Sequence, residues 1–138
     1  MTDAGSSPTP GTFRAGETPN AIGASRLRVL YLIGFLATDG GAERFALGLA
    51  THLPRDRFEP WFCVPRGAEP AAAQELREAG IPLLDLGRRA KWDVHRLGAL
   101  PRLLRHQHFD VLHAHMFGSN LWGTLAGRAC GVPVRIAH

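Results

Sequence analysis

The chain reads as an α/β protein with a Rossmann-like, doubly wound parallel sheet, and three observations predict it. Short apolar runs alternate with stretches of helical periodicity from residue 27 onward. Glycine and proline punctuate the joints between them. One strand-to-helix junction carries two adjacent glycines, Gly40 and Gly41, at the kind of edge where such sheets meet their ligands. Together these imply right-handed βαβ units with helices on both faces of the sheet.

Val29 to Ile33 is a continuous apolar run, the pattern of a strand buried on both faces. A loop through Thr38-Asp39-Gly40-Gly41 leads into a helix with apolar residues at Ala42, Phe45, Ala46, Leu49, Ala50 and Leu53, one face at helical spacing. Phe58 to Val64 is a second strand. Pro70 suits a first helical position, and Gly80 suits the stop of a helix that reaches Ala79. Ile81 to Leu86 is a short third strand. Val94 to Gln107 has helical character but contains Pro101, so it divides or begins anew near that proline. Asp110 to His115 is a fourth strand. Ser119 or Asn120 suits the cap of the next helix, whose inward side reads as Leu121, Trp122, Leu125, Ala126 and Ala129. Gly131 and Pro133 stop it, and Val132 to Ala137 begins a fifth strand. With the fourth strand beside the first, as in the common doubly wound order, the loops at their carboxyl ends face each other across one crevice.

At 138 residues, 45% of them hydrophobic, the chain fits one domain with an ample core. The Pro-, Gly-, Ser- and Thr-rich residues 1–25 read as a flexible tail and 26–138 as the domain. The longest apolar run, Val29 to Ala37, is nine residues broken by Gly34, too short to span a bilayer. The amino terminus lacks a basic start and an apolar stretch of the signal-peptide kind. Cys63 and Cys130 read as reduced thiols, with no CxxC for zinc, which places the chain in the cytoplasm. Residues 88–108 hold six Lys or Arg against one Asp, whereas the rest holds ten against eleven acids. That segment, with Trp92 inside it, reads as a peripheral contact with an anionic membrane, as a holder of an acceptor phosphate, or as a solvated helix face. No nucleic-acid recognition motif accompanies it.

Chemistry concentrates at two loops. Glycines at 40 and 41 let a ligand approach the backbone, and the helix that follows offers unpaired N–H groups and a positive dipole end. The junction is therefore either a phosphate cradle or a tight turn whose glycines serve geometry alone. His113 and His115 are two apart on a strand and point to the same side. His113 lies deeper and reads as a packed histidine. His115, at the strand tip, reads as the ligand contact, sharing the crevice with Asn120 and the glycine turn. The pair also resembles the DxHxH strand of metal-dependent hydrolases, with Asp110 as its acid, although only His138 follows as a further histidine. A dinucleotide dehydrogenase is disfavoured, since GxGxxG is absent and Cys63-Val64-Pro65 puts no acid at the end of strand two. A non-catalytic nucleotide- or phosphate-binding module stays open.

The pieces GGAERFALGLATHL and FDVLHAHMFGSNLWGTLAGRACGVPVRIAH resemble the amino-terminal domain of family-4 glycosyltransferases of the GT-B fold. Those proteins show a GGxE turn after strand one, a DVVHxH segment, a helix and a GVP before strand five, and the likeness spans residues 27–138. It implies two Rossmann-like domains facing across a cleft, the first chiefly for the acceptor and the second for a nucleotide-sugar donor. It implies transfer with retention of configuration, no essential metal, and no cofactor beyond the nucleotide-sugar co-substrate. By the same resemblance Gly40 and Gly41 lie against the donor diphosphate, with Asp39, Glu43, His115 and Asn120 on the acceptor and sugar side. Glu43 also suits a helix-capping role. His138 matches the family histidine near the transferred sugar, or lies a step or two before it. The donor-holding basic pair and paired glutamates belong to the second domain. The expectation is thus the first half of a glycosyltransferase that lacks its carboxy-terminal domain. Such a half is inactive alone and folds marginally, with one face of strand five uncovered. Its acceptor would be a polysaccharide, glycolipid or small molecule, and its place the cytoplasm, peripheral at the inner face of the membrane.

Overall fold

The computed structural model describes residues 25–87 and 98–138. Five strands form one parallel sheet: β1 (Leu27–Ile33), β2 (Phe58–Val64), β3 (Leu83–Asp85), β4 (Val111–His115) and β5 (Val134–Ala137), in the order β3-β2-β1-β4-β5. Between them run the helices α1 (Gly41–His52), α2 (Pro70–Glu78), α3 (Ala99–Gln107) and α4 (Phe117–Ala129). The winding reverses between β1 and β4, so the expected adjacency of first and fourth strands holds. The expectations for residues 1–24 and for 88–97, which include Trp92 and four of the six basic residues of 88–108, lie outside the described residues.

The sheet separates two cores. On one face Val29, Tyr31, Ile33, Phe62 and Val64 pack beneath α1 and α2, against Ala46, Leu47, Ala50, Ala72 and Leu76. On the other Leu30, Leu32, Cys63, Leu112 and Ala114 pack beneath α3 and α4, against Leu100, Leu104 and Ala126. Burial, and secondarily the charge of Asp85, pushes the Cys63 thiol far above its usual range, and both Cys63 and Cys130 are free.

Three boundaries differ from expectation for local reasons, while the fresh helix start near Pro101 is as expected. Ile81 is packed and its N–H closes α2 by donating to Leu76 O, with Gly80 at φ +66°, so β3 starts only at Leu83. Val132 likewise donates to Gly127 O at the end of α4, which delays β5 to Val134. Pro101 lies in the first turn of α3, where no intrahelical N–H is required of it. Helix α4 begins at Phe117 rather than after Ser119 or Asn120, its cap position being Met116 at φ +71°.

The buried side of α4 is also not the one its large residues marked. Ser119, Gly123, Ala126 and Gly127 face inward, while Leu121 and Leu125 are 57% and 54% exposed. A Cβ at Gly123 would fall 2.7 Å from Leu32 Cδ2, and one at Gly127 would fall 2.9 Å from Leu112 Cδ2. A larger residue at either position would have to displace Leu32 or Leu112, so the helix lies close to the sheet there. All four residues of β5 are exposed. Among the described residues no helix is long and apolar enough to cross a membrane.

Candidate functional site at the carboxyl edge

At the carboxyl end of β1 the chain runs through Gly34–Gly40 into α1. Gly40 holds the cap position in extended conformation, and its carbonyl accepts the first helical bond, from Arg44 N–H, at 2.9 Å. No side chain caps the helix by hydrogen bond. The Glu43 side chain folds back over Gly40 so closely that a Cβ there would overlap its carboxylate. Gly41 has open space where its Cβ would be. Asp39 is exposed beside them. The first turn of α1 thus presents free N–H groups and a dipole end to solvent, with one internal carboxylate leaning on the same place.

Parallel register carries β4 alongside, pairing Tyr31 with His113 and Ile33 with His115. On the far side β5 pairs Ile136 with His113. His138 N–H donates to Ala114 O at 2.9 Å, which continues the ladder and puts His138 beside His115. The outcome is a cluster of rings on the α1 side of the sheet. His113 and His115 lie 4.2 Å apart between ring centroids, His115 and His138 5.4 Å, and Tyr31 stands 5.4 Å from His113. Phe45 from α1 stacks on His138 at 4.9 Å with planes 19° apart, and meets His115 edge-on at 6.3 Å.

Exposure of the two strand histidines is the reverse of what depth along the strand implied. His115 is fully buried and His113 only partly so. Phe45 and Tyr31 cover the strand tip, whereas His113 borders β5, where Ile136 is 42% exposed and no described helix lies above. Neither nitrogen of His115 has a hydrogen-bond partner, and neither has Nε2 of His113. Burial first, then the neighbouring His113 and His138, depresses the His115 pKa to about 4. Burial and His138 depress that of His113 as well. The neutral form is therefore favoured at His113 and His115, where a charge on one imidazole opposes a charge on the next. Among the described residues no group of three or more His, Cys, Asp or Glu is arranged to hold a metal ion.

Asn120 lies in the first turn of α4, and its side chain is engaged with backbone. Its Nδ2 donates to His138 O at 2.9 Å, and its Oδ1 accepts His138 N–H at 3.3 Å. Met116 N–H donates to the same carbonyl at 3.1 Å. The helix start at the strained Met116 is what aims both groups at β5. So the edge brings together Gly40, Gly41, Glu43, His115, Asn120 and His138. Asp39 stays at the loop's surface, and Asn120 grips the His138 peptide.

Two features escaped the sequence. Phe45 fits the helical apolar pattern and reads as core, yet is 47% exposed and pairs with His138. The Thr38 hydroxyl and N–H both donate to Glu69 Oε2, the N–H at 2.9 Å, across 31 residues that carry no local signal. A side-chain oxygen acceptor immediately before a helix, as Glu69 is before α2, would point only to capping of that helix.

An open parallel sheet in the order β3-β2-β1-β4-β5, with a glycine turn at its switch point, defines the class, a Rossmann-like α/β fold. Within that class the chain belongs to glycosyltransferase family 4, whose family model matches residues 39–136. The fold is similar to that of a glycosyltransferase from Rickettsia africae ESF-5, at 13% identity and a TM-score of 0.63, covering 81% of this chain and 29% of that one. It is also similar to that of Anabaena HepE, solved in complex with UDP and glucose, at 20% identity and a TM-score of 0.59. That likeness covers 79% of this chain and 29% of HepE. The chain thus spans less than a third of the length of either solved structure. No curated protein matches it.

Proposed function

We propose that the chain supplies the first-domain side of a cleft in which a sugar passes from a nucleotide-sugar donor to an acceptor, with retention of configuration. The observation that carries this is that α1, which opens at Gly40-Gly41, sets its Phe45 against the His115–His138 pair. The glycine turn takes the donor diphosphate, for which free N–H groups and a helix dipole are suited. His138 stands near the transferred sugar. His115 backs its ring, Asn120 holds its peptide, and Asp39 and Glu43 border the sugar and acceptor side. HepE bound to UDP and glucose supports a uridine nucleotide as first trial donor.

Residues 1–25 then form a tail, 26–138 the acceptor-side domain, and a second domain supplies the remaining donor contacts. Closure of the two would assemble charge around the leaving diphosphate, so this half is inactive alone. The acceptor is a polysaccharide, glycolipid or small molecule. Basic residues 88–108 support a cytoplasmic, membrane-peripheral setting at its inner face.

The test is titration of the isotopically labelled chain with UDP and with GDP at millimolar concentrations. Shifts confined to the amides of 38–44 and the ring of His138 are expected. Shifts absent, or centred elsewhere, would overturn the reading.

A further inference from the structure

The β1–α1 and β2–α2 loops are zipped together just beyond the ends of their strands. Arg66 N–H donates to Gly34 O at 3.0 Å, Leu36 N–H to Gly67 O at 3.1 Å, and Glu69 N–H to Leu36 O at 2.8 Å. These bonds make a short parallel bridge between Leu36 and Ala68, with Leu36 fully buried beneath it. Glu69 then locks the far end. Its Oε2 accepts the Thr38 N–H at 2.9 Å and the Thr38 hydroxyl as well.

The use of this carboxylate is unusual. Glu69 occupies the cap position of α2, where a side-chain oxygen ordinarily accepts an N–H of its own helix. Here it makes no such bond, and α2 opens with Pro70 instead, a residue that has no N–H to satisfy. The acid is turned onto the neighbouring loop, two residues before Gly40. Hydrogen bonds from Thr38 hold its carboxyl below the usual Glu range, as expected for a charge-assisted pair. The other charged groups of these loops are Asp39 and Glu43 on the glycine side and Arg66 on its own side. Arg44 and Glu75 pair with each other at 2.6 Å.

We propose that Glu69 is a positioning residue for the glycine turn: by gripping Thr38 it holds Gly40 and Gly41 ready for a nucleoside diphosphate before any ligand arrives. The proposal rests on the reading of that turn as the diphosphate side. A loop fixed in advance loses less freedom on binding, and the gain appears as affinity.

The experiment uses the whole chain, with the wild type beside Glu69→Ala, Glu69→Gln, Thr38→Val and Thr38→Ser. Without ligand, the Thr38 amide proton should titrate with the Glu69 carboxyl, at a midpoint below the ordinary Glu value, and should lose that step in Glu69→Gln. With UDP as probe, Glu69→Ala and Thr38→Val should weaken binding about tenfold. Thr38→Ser should restore it, and thermal melts should stay close to wild type. A Thr38 amide that ignores acid overturns the grip. Binding that survives Glu69→Ala unchanged overturns the positioning role alone. A wild type that shows no UDP-induced shift in residues 38–44 overturns the diphosphate reading, and the proposal with it.

Discussion

On one face of the sheet α4 lies so close that a methyl group at Gly123 or Gly127 would have to push Leu32 or Leu112 aside. On the other, Phe45 of α1 covers His115 and His138, and His115 has no hydrogen-bond partner. The first face behaves like an ordinary protein interior, dense and apolar, with Leu30, Leu32 and Leu112 essentially inaccessible. The second is as fully buried at Ile33, Leu47 and Phe62, but it carries polar rings at the carboxyl edge. Buried polar groups without partners are destabilising, and they persist where something other than stability retains them. The difference places the closest helix-to-sheet approach under α4, and the imidazole cluster beside α1 and the strand tips.

The sharpest way to break this contrast is to overfill the tight face. Gly123→Leu puts a side chain where even a Cβ meets Leu32 at 2.7 Å and Ala114 at 3.2 Å. The expected loss is about 3 kcal/mol or more, read from urea unfolding midpoints. A loss under about 1 kcal/mol would mean that α4 simply retreats, and the tight packing would carry little energy.

Acid should attack the other face. His115 has a pKa of about 4 in the fold against an ordinary 6.5, so between those values the unfolded chain binds more protons than the folded one. Its contribution is whole above pH 6.5 and disappears as pH falls toward 4, and the depressed His113 adds in the same direction. The size is on the order of 3 kcal/mol for a shift this large. Unfolding midpoints taken from pH 7.5 down to 4 read it directly. A flat profile would show that the imidazoles are solvated.

Substituting the ring itself sharpens the comparison. His115→Phe keeps an aromatic of similar shape and removes two unpartnered nitrogens. Stability at pH 7 should rise by about 1 kcal/mol, and the acid-sensitive part should shrink. A fall instead would mean that the imidazole makes a favourable contact worth more than its desolvation.

How legible each face was in the chain follows from the kind of signal it carries. Parallel strands buried on both sides read as apolar runs, and Val29–Ile33 within β1 was visible for that reason, as was Phe58–Val64 despite Glu59. The adjacency of β1 and β4 followed from the common winding order. The buried side of α4 was read only in part: Ala126 is buried and Trp122 packs against that core, but periodicity weighs large residues where this interface selects small ones, and Leu121 and Leu125 point outward. At the site, Gly40, Gly41, His115 and His138 were visible as residue types at a strand end. Their burial was not, because it depends on Phe45 coming down from α1. The Thr38–Glu69 grip joins two loops far apart in sequence, and no local pattern encodes it.

The smallest effect bears on the question the sequence left open, whether the glycine turn is a cradle or only a turn. Gly41→Ala adds a Cβ into open space at the first position of α1, in a helical residue that any amino acid adopts. Freedom lost from the unfolded chain should stabilise the protein by about 0.5 kcal/mol. If the turn served geometry alone, nothing else would change. If a diphosphate approaches the backbone here, the added methyl stands in its way, and UDP-induced shifts at residues 38–44 should weaken while the melt rises. Stability and binding moving in opposite directions on one substitution would place ligand approach, rather than chain reversal, as the reason for glycine at 41.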